Sequence, residues 1–542
     1  MKTKIILGSI LLLGLFLRAL FITKLPLYGD ELTMVYDTYS ILKTGHDQLG
    51  NFLPITFKMG AGRPGGYIYF SLPFVAIFGP TAMGVRSLSI LSGLGIIVLL
   101  YLLGKRFFNE KVGLAAALVA ALSPWELSLS RGGFETNFAL FLSLMGVYFF
   151  VNASKKGINY LWWVLTWGLA IHTYPTYKLV LPLFLIPLIW FVGGPKEIFQ
   201  KKNTKFLIFS GIVGVFFIGL ALDQTFFGGS EQRFLSINAF SQNNLQQQII
   251  QKVNFQRNIS ELPQAFTKFI YNKPIEYFIN LRNAYLDNFS MNYLFISGDG
   301  NPTHNMTGIG EMYVVDIILV LVGMLGIYTK HKKIFGLLIV WLLIAPLATT
   351  LLLTPHALRN SFMIPPLLLF SSFGLISLYD ARKSLFGKFV LVLVIISWFA
   401  QFVFLFSRLY FLSPNQYSNF WSYPAKLATD TADKNIRNYD YIILSSRIDN
   451  VEYAYPVYTK IDPSLVIAQN IQKTNLGGYS FKKFGNVYIG SISQSDIFEF
   501  IKNLKGSVLF IGDYMNDREY LTGYQTLSSK DQTKALILEE KR

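Results

Sequence analysis

The side chains able to do chemistry fall in a few short clusters between long apolar runs. Asp30 and Glu31 stand together just past the first run, Arg131 and Glu135 sit four apart between two others, and His172 and Tyr174 end another. His304 lies in a long polar segment, and His356 with Arg359 fills a short late one. A carboxylate of this kind can take the proton of a hydroxyl as it attacks an anomeric carbon. Arginine offers two parallel donors to phosphate oxygens, and preformed donors stabilise the charge of a departing phosphate. Acid, arginine and imidazole together therefore suit sugar transfer from a phosphate to a hydroxyl. The chain has no cysteine, which excludes disulfides, thiolate zinc sites and thiol nucleophiles. It carries no P-loop, GxGxxG-plus-acid pattern, HExxH or nucleophile elbow.

Each candidate also has a plainer duty. Asp30 can cap a helix beginning at Glu31, worth about 1 kcal/mol. Arg131 and Glu135 can pair along one helix face for about 0.3–0.5 kcal/mol. His304, after Gly298-Asp299-Gly300-Asn301-Pro302, can be a turn histidine, and His356 and Arg359 can face lipid phosphates. Arg18 is different, because it lies inside an apolar run. A cation at that depth costs about 2.5–3.5 kcal/mol, so it is expected to face the bundle and pair with an acid.

The elements that position these groups follow from composition. Of 542 residues, 52% are hydrophobic and 15% charged, against about 25% charged in a soluble protein. Runs long enough for a bilayer of about 30 Å recur at 5–22, 85–103, 112–129, 136–152, 160–174, 177–193, 205–222, 311–328, 335–353, 361–379 and 387–407. That predicts eleven crossings. The run 67–79, interrupted by Pro73, is expected to lie at the interface. The N-terminus lacks a small-residue cleavage site and is expected to remain as the first crossing.

Clusters at Lys105-Arg106-Lys111, Lys155-Lys156, Lys196 to Lys205, Lys330 to Lys333 and Arg382-Lys383-Lys388 then all fall inside. They account for much of the net charge of +17, so nucleic acid is not an expected partner. The N-terminus is cytoplasmic in this topology and the C-terminus outside. Residues 23–84 and 223–310 form outer loops, the first with a helix over 31–42. The tail offers strand-like runs at 441–444, 486–489 and 507–511 and helical stretches near 419–437 and 495–503. The expected fold is thus an all-α polytopic membrane body, 1–407, followed by a small α/β extracytoplasmic domain, 408–542.

Four of the five histidines and the paired acids fall at the outer face; His331 is the exception. Nucleotide sugars are not expected there, so the donor must carry its own anchor, a polyprenyl phosphate. The expectation is a cell-membrane glycosyltransferase with membrane lipids, the lipid-linked sugar and an acceptor protein, lipid or glycan as partners. A surface-polysaccharide polymerase or ligase is the nearest alternative enzyme. A lipid or solute transporter is the alternative without catalysis, although transporters place binding groups near mid-membrane on broken helices.

Tyr28-Gly29-Asp30-Glu31 after the first run resembles the outer-loop acidic motif of GT-C glycosyltransferases, especially the protein O-mannosyltransferase and aminoarabinose transferase branch. Gly62-Arg63-Pro64-Gly65-Gly66-Tyr67, Val85-Arg86-Ser87, Ser123-Pro124 through Arg131 and Glu135, and Pro355-His356-Ala357-Leu358-Arg359 are similar to later motifs of that family, in order, over roughly 1–410. The resemblance implies a GT-C-like fold with Asp30 as general base and with Glu31 and Glu135 positioning the acceptor or a metal. It implies Arg63, Arg131, His356 and Arg359 for the donor phosphate, with His304 and Tyr174 as further candidates. A divalent metal, where used, would draw on Asp30, Glu31 and His304. The chain departs from the family in reading Arg63-Pro64-Gly65-Gly66 where relatives often have two prolines and a leucine.

Overall fold

Every apolar run of the first 410 residues is helical in the computed structural model, which describes residues 2–58, 62–226, 243–521 and 523–541. Residues 227–242 of the second expected outer loop lie outside the described residues. The helices are α1 (Lys2–Ala19), α2 (Gly29–Thr44), α3 (Gly66–Phe78), α4 (Ala82–Phe107), α5 (Glu110–Leu122), α6 (Pro124–Arg131), α7 (Glu135–Val151), α8 (Asn159–Ile171), α9 (Tyr177–Val192) and α10 (Thr204–Phe226). After the second loop come α11 (Asp316–Lys330), α12 (Lys332–Ile344), α13 (Ile364–Ala381) and α14 (Leu385–Ser407).

Helix position and helix length differ in what they support. Among the described residues, five helical runs are long and apolar enough to cross a bilayer, or six if α5 and α6 form one crossing. The expected straight run 112–129 is bent by 58°. Ser123 interrupts it: its hydroxyl accepts from Glu126 N–H and Pro124 follows as the first helical residue, a helix start in mid-run. Other expected crossings, such as α7 and α9, are shorter apolar helices.

The chain divides into two units. One comprises Met1–Arg18, Ala61–Gly66 and Ser89–Leu405. Within it α11 and α13 meet closely, since a Cβ added at Gly323 would collide with the Phe370 carbonyl and one at Gly374 with the Leu319 carbonyl. Of the apolar stretch of α10 only 6% is buried, whereas 83% of the Ser361–Ala381 stretch is. An apolar helix left uncovered by protein needs lipid around it, so α10 borders the bilayer and α13 the bundle interior.

The other unit comprises Ala19–Gly60, Tyr67–Leu88 and Phe406–Arg542. Residues 23–60 and 67–84 of the expected first outer loop therefore group with the tail, where the sequence assigns 23–84 to the membrane body. Side-chain contacts give the reason. Tyr36 donates its hydroxyl to Ile461 O at 2.9 Å, Leu27 N–H donates to the Tyr458 hydroxyl at 2.9 Å, and Asn470 donates to Gln48 O at 2.7 Å. The tail is built on a seven-stranded sheet. Its strands are β1 (Tyr441–Ser445), β2 (Thr474–Leu476), β3 (Tyr479–Phe484), β4 (Val487–Gly490), β5 (Val508–Asp513), β6 (Gln525–Ser528) and β7 (Lys534–Lys541), in spatial order β2-β3-β4-β1-β5-β7-β6. β1 runs parallel to β4 and β5, and the remaining pairs are antiparallel. Ile443, Phe481, Ile497, Val508, Phe510 and Ile537 fill its core.

Candidate functional site

Asp30 is the second residue of α2, not its cap. Tyr28, in extended backbone, holds the cap position, and its N–H reaches the Glu31 carboxylate at 3.4 Å. A third-position glutamate reaching back in this way is half of a capping box. Asp30 is half-buried, and its carbonyl accepts the Thr33 hydroxyl at 3.0 Å. A Cβ at Gly29 would stand 2.6 Å from Asn450 Oδ1, so a side chain there requires Asn450 to shift.

Glu31 is fully buried and faces Arg86, with Nε–Oε1 at 2.6 Å and Nη2–Oε2 at 2.5 Å. The same guanidinium donates to the carbonyls of Ile22, Leu25 and Pro26 and lies 5.3 Å from the Trp421 ring centroid. Arg86 thus ties residues 22–31 into one rigid lead-in to Asp30. Both Glu31 oxygens are engaged in this pair.

In the other unit, Glu135 pairs with Arg63 at 2.8 Å, and both side chains are nearly buried. Glu135 and Arg131 do not share the one helix face expected of them, because α6 ends at Arg131 and α7 begins at Glu135. Arg131 is buried and donates from Nη1 to the carbonyls of Leu17 and Arg18, at 3.0 and 3.1 Å. It fastens α1 to α6. Arg18 does have its acid: Glu126 Oε1 stands 3.6 Å away, both side chains fully buried. His172 contacts Gln224 and the Phe217 carbonyl, each at 3.0 Å, and the Tyr174 ring stands beside Tyr177.

His304 and His356, far apart in sequence, come together. Their rings stack with centroids 4.3 Å apart. Asp299 Oδ2 lies 3.0 Å from His304 Nδ1 and 3.9 Å from His356 Nδ1, and it also accepts Ala357 N–H at 2.8 Å. Burial raises the Asp299 carboxyl, but the His304 hydrogen bond and charge, then His356, hold it below the usual carboxylate range. His356 is pushed down to about 3, first by burial and then by His304 and Arg359, against the pull of Asp299. Glu311 behind this cluster is buried and accepts Asp299 N–H at 2.9 Å. The turn 355–359 is held from α6 and α7 by Trp125 Nε1 to Ala357 O at 3.1 Å and Thr136 Oγ1 to Leu358 O at 2.7 Å. Arg359 is half-buried.

Asp299, Glu126 and the central role of Arg86 are what the sequence reading did not assign. Asp299 was visible only as part of a turn. An acid was expected for Arg18, but no local rule points across about a hundred residues to Glu126.

These elements define a multi-pass helical membrane body carrying an α/β domain, and comparison with known proteins places that architecture. The family model for dolichyl-phosphate-mannose-protein mannosyltransferase matches residues 63–219. A search of curated proteins finds no sequence match. The fold is similar to that of ArnT from Cupriavidus metallidurans bound to undecaprenyl phosphate, with TM-score 0.54 and 10% identity over 99% of this chain and 97% of that one. It is also similar to the archaeal oligosaccharyltransferase AglB from Archaeoglobus fulgidus. The complex of AglB with an inhibitory peptide and a dolichol-phosphate gives TM-score 0.50 and 11% identity over 94% of this chain and 69% of that one. Its complex with zinc and sulfate gives TM-score 0.50 and 11% identity over 98% and 72%. At such identities the likeness is one of fold, and it is the GT-C-like fold that the motifs imply.

Proposed function

We propose that the chain is an integral-membrane glycosyltransferase of the cell membrane, moving a sugar from a polyprenyl-phosphate donor to an acceptor on the non-cytoplasmic face. The acceptor hydroxyl attacks the anomeric carbon and its proton passes to the Asp30 carboxylate. The bond from that carbon to the phosphate oxygen breaks, and the polyprenyl phosphate leaves with the electron pair. A guanidinium can offset the charge that develops on the departing phosphate. The Arg63–Glu135 and Arg18–Glu126 pairs and Arg131 are assigned to positioning, since their buried contacts are with protein groups.

The observation that carries the reading is the placement of Asp30. It stands half-buried at the start of α2, on a segment fixed by the bidentate Glu31–Arg86 pair. The full-length fold likeness to a protein solved with undecaprenyl phosphate supports the choice of donor class. The acceptor peptide tethered to the Archaeoglobus fulgidus oligosaccharyltransferase, a protein of similar fold, supports an acceptor as a second substrate.

The test is Asp30→Asn in membranes supplied with radiolabelled polyprenyl-phosphate sugar. Transfer should fall by about 10²–10⁴-fold, the usual contribution of a general base, while donor binding persists. Transfer at the wild-type rate would remove Asp30 as the base. Solute uptake with no transfer by the wild type would replace the enzyme with a transporter.

A further inference from the structure

We propose that Asp299, His304 and His356 bind a divalent transition-metal ion of the zinc class, which ties the 298–305 turn to the 355–359 turn. The three side chains can each offer one ligand atom, and these atoms all lie within 4.8 Å of one another. Nitrogen and oxygen ligands at the edges of a zinc tetrahedron stand about 3.3 Å apart, given metal–ligand bonds of about 2.0–2.1 Å. The separations of 3.0 Å for His304 Nδ1 to Asp299 Oδ2 and 3.9 Å for His356 Nδ1 to Asp299 Oδ2 bracket that value.

A metal-free ion pair explains only half of this arrangement. It accounts for His304 against Asp299. His356 Nδ1 is buried and has no hydrogen-bond partner among the described residues, because Asp299 at 3.9 Å is beyond hydrogen-bond range. A buried ring nitrogen left unpaired costs about 1–3 kcal/mol, and a metal ion would satisfy it.

The donor set also selects the ion. Two imidazoles and one carboxylate suit zinc, cobalt or nickel, whereas magnesium and calcium favour all-oxygen shells. Outer contacts orient the ligands as metal sites require. Asp299 accepts the backbone N–H of Ala357 at 2.8 Å and of Asn301 at 2.9 Å, and the Asn301 amide lies 3.4 Å from His304 Nε2. Three protein ligands leave a further coordination position for water or an anion. The site stands on these residues and is independent of the proposed transfer reaction.

The experiment uses the full chain in detergent without a histidine tag, stripped with EDTA and titrated with Zn²⁺ by calorimetry and with Co²⁺ by visible absorption. The wild type should take up one zinc per chain and show the ligand-field bands of cobalt in a nitrogen–oxygen site. His304→Gln and His356→Gln should weaken zinc binding more than about ten-fold, the least that loss of even an outer partner costs, while eluting as monodisperse protein. His46→Gln should bind as the wild type does. Absence of a near-stoichiometric zinc site in the wild type overturns the proposal without recourse to any variant. Wild-type zinc affinity in both glutamine variants overturns it as well.

Discussion

At the scale of single residues, ion pairing decides what each charged group can do. Glu31 and Arg86 are both essentially unexposed and meet through two contacts. Removing one member of such a pair leaves the other charge buried alone and costs about 3–5 kcal/mol, more than the pair itself contributes. Glu31→Gln should therefore lower thermal stability markedly, and adding Arg86→Met to it should restore part of the loss. A single variant as stable as the wild type would mean that the guanidinium is solvated, contrary to its three carbonyl contacts. The contrast with Asp30 was partly legible in sequence, because two adjacent acids after an apolar run mark an exit from the membrane. Their division of labour was not. It depends on Arg86, 55 positions beyond Glu31, and no helix or strand period spans that distance. The same limit misled the reading of Arg131 with Glu135. Their spacing fits one helix face, but Gly132-Gly133 ends α6 between them and frees Glu135 for Arg63.

At the scale of elements, apolar length located the apolar helices, since backbone groups in lipid have no other partner than their own helix, but it gave no sign of the polar helices Asn243–Ile259 and Lys273–Asp287 in the expected second outer loop. What it missed was a break made by ordinary residues, Ser123-Pro124, inside a run that is apolar by composition. In the tail, the three central strands were legible as β-branched runs, and their observed positions agree to within about two residues. The β2–β3 hairpin was overlooked although Gly477-Gly478, both at positive φ, carries a recognised two-residue turn signal. Strand β7 was hidden because Glu539, Glu540 and Lys541 dilute its apolar residues. The α11–α13 crossing depends on glycine at its point of contact. Helices in membranes associate through such close approach, there being little hydrophobic force between them in lipid. Gly374→Ala should cost about 1–3 kcal/mol, the usual price of forcing a methyl into a packed site, because the opposing atom is a backbone carbonyl that cannot swing aside. Thermal unfolding in detergent measures it. An unchanged midpoint would show that the two helices separate without loss.

At the scale of the whole molecule, orientation is the property on which the chemistry depends, and it was read from charge alone. Lys and Arg in short loops resist translocation, so their placement sets which side each loop occupies. The chain supplies an unusual means of testing this, because it contains no cysteine and any introduced thiol stands alone. Lys155→Cys and Lys383→Cys, both at exposed positions, should react with a membrane-impermeant maleimide only after the cells are permeabilised. Ser297→Cys and Lys473→Cys, also exposed, should react on intact cells. The two pairs test different parts of the reading. Labelling of Lys155→Cys from outside would reverse the orientation and put nucleotide-linked donors back within reach of the acids. If Ser297→Cys alone failed to label from outside, the outer loop that carries Asp299 and His304 would face the cytoplasm. A lipid-linked donor would then no longer be required by the location of the chemistry, and the zinc titration would remain informative, because binding of the ion depends on the ligands and not on the side of the membrane they face.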